Sequence, residues 1–160
     1  MDADHRFAAS VAWTGNRGPG TSGYRAYGRD HVVSVAGKPD LHASAARVFH
    51  GDADRWNPEE ELIAALAGCH LLSYLYVAVA HGIVVEAYED AAEGTLATTP
   101  DGGGRFTEVV LRPVVTISAG DPDVARRIHA EASRLCFIAS SVNFPVRHEP
   151  TVVLADDPRS

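Results

Sequence analysis

The sequence predicts an α+β fold in which antiparallel sheets wrap around a long, buried central helix. Three observations predict it. Strand-like runs come in hairpin pairs and not in βαβ alternation. The element order reads two strands, a long helix, two strands, a second helix and a last strand. And one stretch, Asn57 to Gly82, carries clear helix boundaries yet is apolar on nearly every face, the pattern of a helix without a solvent side. With 160 residues and 46% apolar composition, there is material for one core, so a single domain over 1–160 is expected, 155–160 being a frayed end.

In chain order, Arg6 to Thr14 gives a weak strand pattern. Gly15 to Gly23 (GNRGPGTSG) reads as a tight turn; no Lys-Ser/Thr follows and no helix opens after it, so it is not a phosphate loop. Tyr24 to Val35 is a second strand, alternating best over His31 to Val35, and Gly37 to Asp54 is a long irregular loop of the kind that often serves function. The central helix follows. Asn57 is a good N-cap, Pro58 suits the first helical position, and Glu59, Glu60 and Glu61 favour the positive end of the helix dipole. Gly82 stops the helix, with His81 in its last turn. Ile83 to Thr98 is a strand, Pro100 to Gly104 a hairpin turn, and Arg105 to Ile117 the return strand. Asp121 caps a second helix with Val124, Ile128, Ala132 and Leu135 along one stripe; Cys136 ends it. Asn143-Phe144-Pro145 breaks the following apolar piece, and Val146 to Leu154 is the last strand.

Charge and composition narrow the function classes. A net charge of −7 without a basic stripe opposes nucleic-acid binding, and Arg126, Arg127 and Arg134 read as one solvated helix face. The first ten residues lack the apolar run of a signal peptide, so a cytoplasmic location is expected. Leu62 to Val85 has the length of a membrane span, but Cys69, His70, Ser73 and His81 interrupt it and its flanks lack Lys and Arg, so no membrane association is expected. A helix apolar all round is hard to cover with so few other elements; a second subunit would cover it, which predicts a homodimer.

Two cysteines, Cys69 and Cys136, lie 67 residues apart, and in a reducing compartment they rest as thiols, either as small buried hydrophobes or as redox groups. No CxxC or HxxxH spacing supports zinc, so neither metal nor organic cofactor is expected. Cys69 and His70, being neighbours, point about 100° apart on a helix, which opposes a Cys–His catalytic pair; His70 reads as a core or interface histidine, and His129 and His148 are unplaced. A thiol peroxidase asks for less: a reactive cysteine, a cation beside its thiolate, a carboxylate to orient the cation and a resolving cysteine.

Those residues carry a family resemblance. Asn57-Pro58-Glu59-Glu60, an Ala-rich run to Ala67-Gly68-Cys69, Trp13-Thr14-Gly15 near the start and the segment ASRLCFIASS around Cys136 resemble the OsmC/Ohr family of osmotically induced and organic-hydroperoxide-resistance proteins. The twelve-residue step from Asn57 to Cys69 equals the family spacing. The resemblance implies an OsmC-like, intertwined homodimer that reduces organic hydroperoxides in an antioxidant, peroxiredoxin-like role. It makes Cys69 the peroxidatic cysteine, Cys136 the resolving one and Glu59 the carboxylate that holds the active-site arginine. Arg17 matches that arginine by the Ohr branch, Arg47 by the OsmC branch, and Arg25 is a third position. The implied reductant is an external dithiol of the lipoyl type. The chain departs from the family at His70, where Phe is usual, and at Glu61, where an apolar residue is usual. The competing class is an OsmC-fold small-molecule-binding or redox-sensing protein with weak turnover. Glu59 and Cys69 lie ten residues apart, roughly 15 Å along one straight helix, so a shared site calls for Glu59 to serve the partner subunit's Cys69.

Overall fold

The long helix α1 runs unbroken from Pro58 to Ala80, and its ends follow from its caps. The Asn57 side chain accepts the Glu60 amide at 2.9 Å, and Gly82 takes a positive φ of 67° where the chain turns away. In this computed structural model residues 4–155 are described; 156–160, most of the expected frayed end, lie outside the described residues. The chain divides into two units, Met1–Glu61 and Leu62–Ser160, and the helix starts at the end of the first.

The first unit is a three-stranded antiparallel sheet, β1 (Ser10–Trp13), β2 (His31–Ser34) and β3 (Leu41–Ala43), in the order β1-β2-β3. Both expected N-terminal strands are shorter than their sequence patterns. Tyr24 to Asp30 forms turns instead, because Arg29 donates to the carbonyls of Tyr27 (2.9 Å) and Tyr24 (3.0 Å), satisfying backbone groups that a strand would have paired. The long loop after β2 contains β3 and a single 3₁₀ turn, Arg47–Phe49. An isolated bridge between Ala43 and Trp56, with the Ser44 amide donating to the Trp56 carbonyl at 2.8 Å, fixes where the chain enters α1.

The second unit corrects the strand reading in an informative way. The expected strand 83–98 is two strands, β4 (Val84–Asp90) and β5 (Glu93–Thr98); the return is β6 (Gly104–Leu111) and β7 (Pro113–Ala119). Helix α2 (Pro122–Leu135) follows, and the last strand also splits, into β8 (Val146–His148) and β9 (Thr151–Leu154). All three breaks lie at one level, producing two sheets ordered β4-β7-β9 and β5-β6-β8. Arg112, at the middle break, holds them: its amide donates to Asp90 Oδ1 (2.7 Å) and its guanidinium to Glu93 (3.1 Å) and Glu149 (3.3 Å). Neither sheet is purely antiparallel, since β8 runs parallel to β6 and β9 parallel to β7. The crossover through α2 returns the chain in the same direction, which a hairpin cannot do.

Helix α2 is capped by Asp121, as expected, with its carboxylate accepting the Asp123 and Val124 amides. One apolar cluster joins Tyr74, Val77 and Ala78 of α1 to Val115 and Ile117 of β7 and to Ala125, Ile128 and Ala132 of α2. A second joins Leu66 to Val109 and Leu111. Only one stripe of α1 is buried: Leu66, His70, Tyr74, Val77 and Ala78. The expectation of burial on every side is not met within one chain, where Leu72 is 69% exposed, Tyr76 73% and Val79 79%. By length and composition alone α1 could also cross a membrane.

Candidate functional site: a thiol pair and two N-terminal cavities

The thiols come together in the second unit. Cys69 sits half-buried in the middle of α1, and Cys136 is the buried C-cap of α2. Both are free thiols, and they are hydrogen-bonding neighbours. Burial, reinforced by the Cys69 hydrogen bond, pushes the Cys136 thiol up to about 11; the Ala139 amide, donating to its sulfur at 3.4 Å, works the other way. At neutral pH Cys136 is therefore a protonated thiol, suited to attack an oxidised neighbour rather than to open the chemistry itself.

His70 is 2% exposed, on the face of α1 next to Cys69. Its Nε2 lies 3.0 Å from Nδ1 of His129 on α2, with the rings stacked, and His148 of β8 stacks on it at 5.5 Å between centroids and lies 6.2 Å from His129, so the three rings form a triangle. Tyr74 stacks on His129 at 4.1 Å and donates its hydroxyl to the Ala125 carbonyl at 2.9 Å. Burial lowers all three histidines, His70 to about 4 and His129 to about 3, and their mutual repulsion adds to it. The cluster is thus neutral at physiological pH. Sequence reasoning gave His70 as a core or interface histidine, and here it is buried; it left His129 and His148 unplaced, because their shared partner His70 lies 59 and 78 residues away with no local signal. Among the described residues none of its hydrogen bonds reaches Cys69.

The charged candidates belong to the first unit. Glu59, in the first turn of α1, lines a cavity of about 460 Å³ with Trp13, Tyr27, Arg29 and Phe49, and its Oε2 is buried without a hydrogen-bond partner. Arg17 and Arg25 line a neighbouring cavity of about 300 Å³, while Arg47 starts the 3₁₀ turn and lines neither. Arg29 lines both, and sequence reasoning missed it. The signal available was the pair of tyrosines before it: the Arg29 guanidinium lies 4.8 Å from the Tyr24 ring centre and 4.3 Å from that of Tyr27. The glycine-rich turn is organised by Asn16, whose side-chain oxygen accepts the Gly18 (2.9 Å) and Gly20 (3.0 Å) amides, not by a phosphate.

Two free thiols, one on the long helix and one at the end of the second, stand together in an α+β chain of split sheets, and that architecture defines the class of protein. The sequence pattern of the OsmC-like protein family matches residues 51–151, and the chain belongs to that family. The solved structure of an OsmC-like protein of unknown function from Vibrio cholerae O1 biovar eltor superposes with a TM-score of 0.82 at 30% identity, covering 92% of this chain and 99% of that one. YmaD of Bacillus subtilis is 24% identical over 97% of this chain and 99% of its own length. An organic hydroperoxide resistance protein OsmC from Legionella pneumophila shares the fold, with a TM-score of 0.67 at 20% identity over 94% of this chain and 98% of that one.

Proposed function

We propose that the chain is a thiol peroxidase that reduces organic hydroperoxides to alcohols. The observation that supports this most is the adjacency of the Cys69 and Cys136 thiols, one half-buried and one buried. The Cys69 thiolate attacks the distal peroxide oxygen; the O–O bond breaks, the alkoxide leaves as the alcohol after taking a proton, and Cys69 becomes a sulfenic acid. The Cys136 sulfur then displaces the hydroxyl as water and forms a disulfide. An external dithiol, of the lipoyl type by the resemblance, returns both thiols by exchange.

Glu59 and an arginine supply the charge that a mid-helix thiolate lacks, since the helix dipole fades within its first turn. Arg17 is the arginine of this reading. The protein acts as a homodimer, in which Glu59 of one copy serves the partner subunit's Cys69. The exposed apolar row Leu72, Tyr76 and Val79 on α1, with Leu135 and Phe137 beside a cavity of about 370 Å³, supports a second copy as its cover.

The test is consumption of cumene hydroperoxide with a dithiol. Wild type turns over, and Cys69→Ser falls to the uncatalysed rate; equal rates for the two proteins would end this reading. Intact-mass measurement after peroxide shows loss of two hydrogens in wild type and none in Cys136→Ser.

A further inference from the structure

The cavity of about 300 Å³ in the first unit gathers more positive charge than the thiol chemistry uses: Arg17 is the arginine of that reading, and Arg25 and Arg29 stand beside it. Three guanidinium groups, those of Arg17, Arg25 and Arg29, line it, and none of them forms an ion pair among the described residues. Like charges drawn to one concave space repel, and field lines focus there. The one carboxylate on the wall, Asp52, is outnumbered by the three guanidinium groups, and a hydrogen bond to Asp30 and the Asp30 charge raise its proton affinity.

The cavity is also pre-organised. Arg29 is clamped by Tyr24 and Tyr27 and anchored through two carbonyls, which leaves further N–H groups of its fork unused. His50, in a left-handed conformation at φ 65°, meets the Tyr24 ring edge-on at 5.3 Å and closes another side. A Cβ at Gly28 would strike Asp30 Oδ2 and lie 3.3 Å from Arg17 Nη2, so this glycine lets both charged groups approach the backbone. Beyond the shared wall of Tyr27, Gly28 and Arg29, the adjoining cavity presents Trp13, Ala45 and Phe49 as well as the Glu59 carboxylate.

We propose that this cavity binds a small organic anion, which presents a carboxylate or phosphate to Arg17 and Arg25 and directs an apolar body towards the Trp13–Phe49 side. Planar guanidinium forks match both oxyanions in a two-point fashion, and a space of this size sits at the lower end of small-molecule pockets, about 300–1,000 Å³. The site shares Arg17 with the peroxidase reading but does not rest on it: anion binding is measured without peroxide and stands whether or not Cys69 turns over.

Isothermal titration of the full chain with benzoate and with phenyl phosphate, against benzyl alcohol as the neutral counterpart, tests this. Wild type binds at least one of the anions saturably, more weakly as salt rises. The Arg17→Gln/Arg25→Gln double variant binds it at least about ten-fold more weakly, the loss expected for a charge-assisted hydrogen bond. Arg126→Gln, on α2, binds as wild type. The anion held more tightly names the head group. Circular dichroism checks the double variant's fold; if it is unfolded, each single Arg→Gln variant is read by the same criterion. No saturable binding of either anion, equal binding of benzyl alcohol, or undiminished binding by the folded variants would overturn the proposal.

Discussion

The two units are stabilised by different means. In the second, apolar side chains from two helices and both sheets close over Tyr74, Leu66 and Leu111, all essentially unexposed. In the first, the buried positions among the described residues are Gly15, Gly28, Ala43, Ser44 and Asn57, of which only Ala43 is an apolar side chain with anything to bury. That unit relies on direct contacts instead. Trp13 Nε1 donates to the Gly28 carbonyl at 2.8 Å, the Gly28 amide donates to the Gly15 carbonyl at 2.8 Å, and Arg29 is held between two rings. The difference teaches that the thiol pair sits in the part of the chain built to be rigid by packing. The arginines sit in the part whose order depends on a few polar and aromatic contacts, the kind of region that opens most readily.

Substitutions can break this contrast. Tyr74→Ala should have the largest effect, removing a fully buried ring that packs on His129 and leaving the Ala125 carbonyl without its donor. The expected cost is about 3–5 kcal/mol in urea unfolding. A loss below about 1 kcal/mol would mean the second unit is not held by its core.

Acid comes next. His70 and His129 have folded-state values depressed to about 4 and about 3. Unfolded, each takes up its proton near 6.5, so below that pH the unfolded state binds more protons. Stability is fully present above pH 6.5 and declines as pH falls towards 4. At about 1.4 kcal/mol per pH unit the loss is on the order of 3 kcal/mol for each buried histidine. Unfolding free energy measured between pH 7 and 4 checks this, and His129→Leu should flatten the slope. An unchanged slope in that variant would remove the histidines as its cause.

In the first unit, Gly15→Ala would drive a Cβ into the Gly28 carbonyl oxygen, so the backbone must part. A cost of about 1–3 kcal/mol is expected. It should appear as faster amide exchange of Trp13 to Asp30, with the second unit's amides unchanged. Arg112→Ala should be the mildest change. Its ion pairs to Glu93 and Glu149 are solvent-exposed, worth at most about 1 kcal/mol together, and its backbone bond to Asp90 survives the substitution.

What could be read from the sequence divides along a physical line. The caps at Asn57 and Asp121, the stop at Gly82, the stripe of α2 and the spacing from Asn57 to Cys69 are local signals, and each depends on residues within a few turns. The shared strand break was not legible. Apolar patterning runs on through Ala91-Ala92 and Arg112, and only Pro113 and Pro150 hint that the long hairpin and the final strand bend together. Nor was the antiparallel expectation sound for β8 and β9, whose direction is set by the α2 crossover rather than by their own residues.

By itself, then, the sequence determined the helix boundaries, the α+β order and the family, because backbone capping and periodicity are properties of neighbouring residues. Only the tertiary structure decided that His70, His129 and His148 cluster, with His129 stacked on Tyr74, that Cys136 meets Cys69, and that Arg29 lines both N-terminal cavities. Those meetings join residues brought close by sheet register and helix packing, and no short window of sequence carries that information.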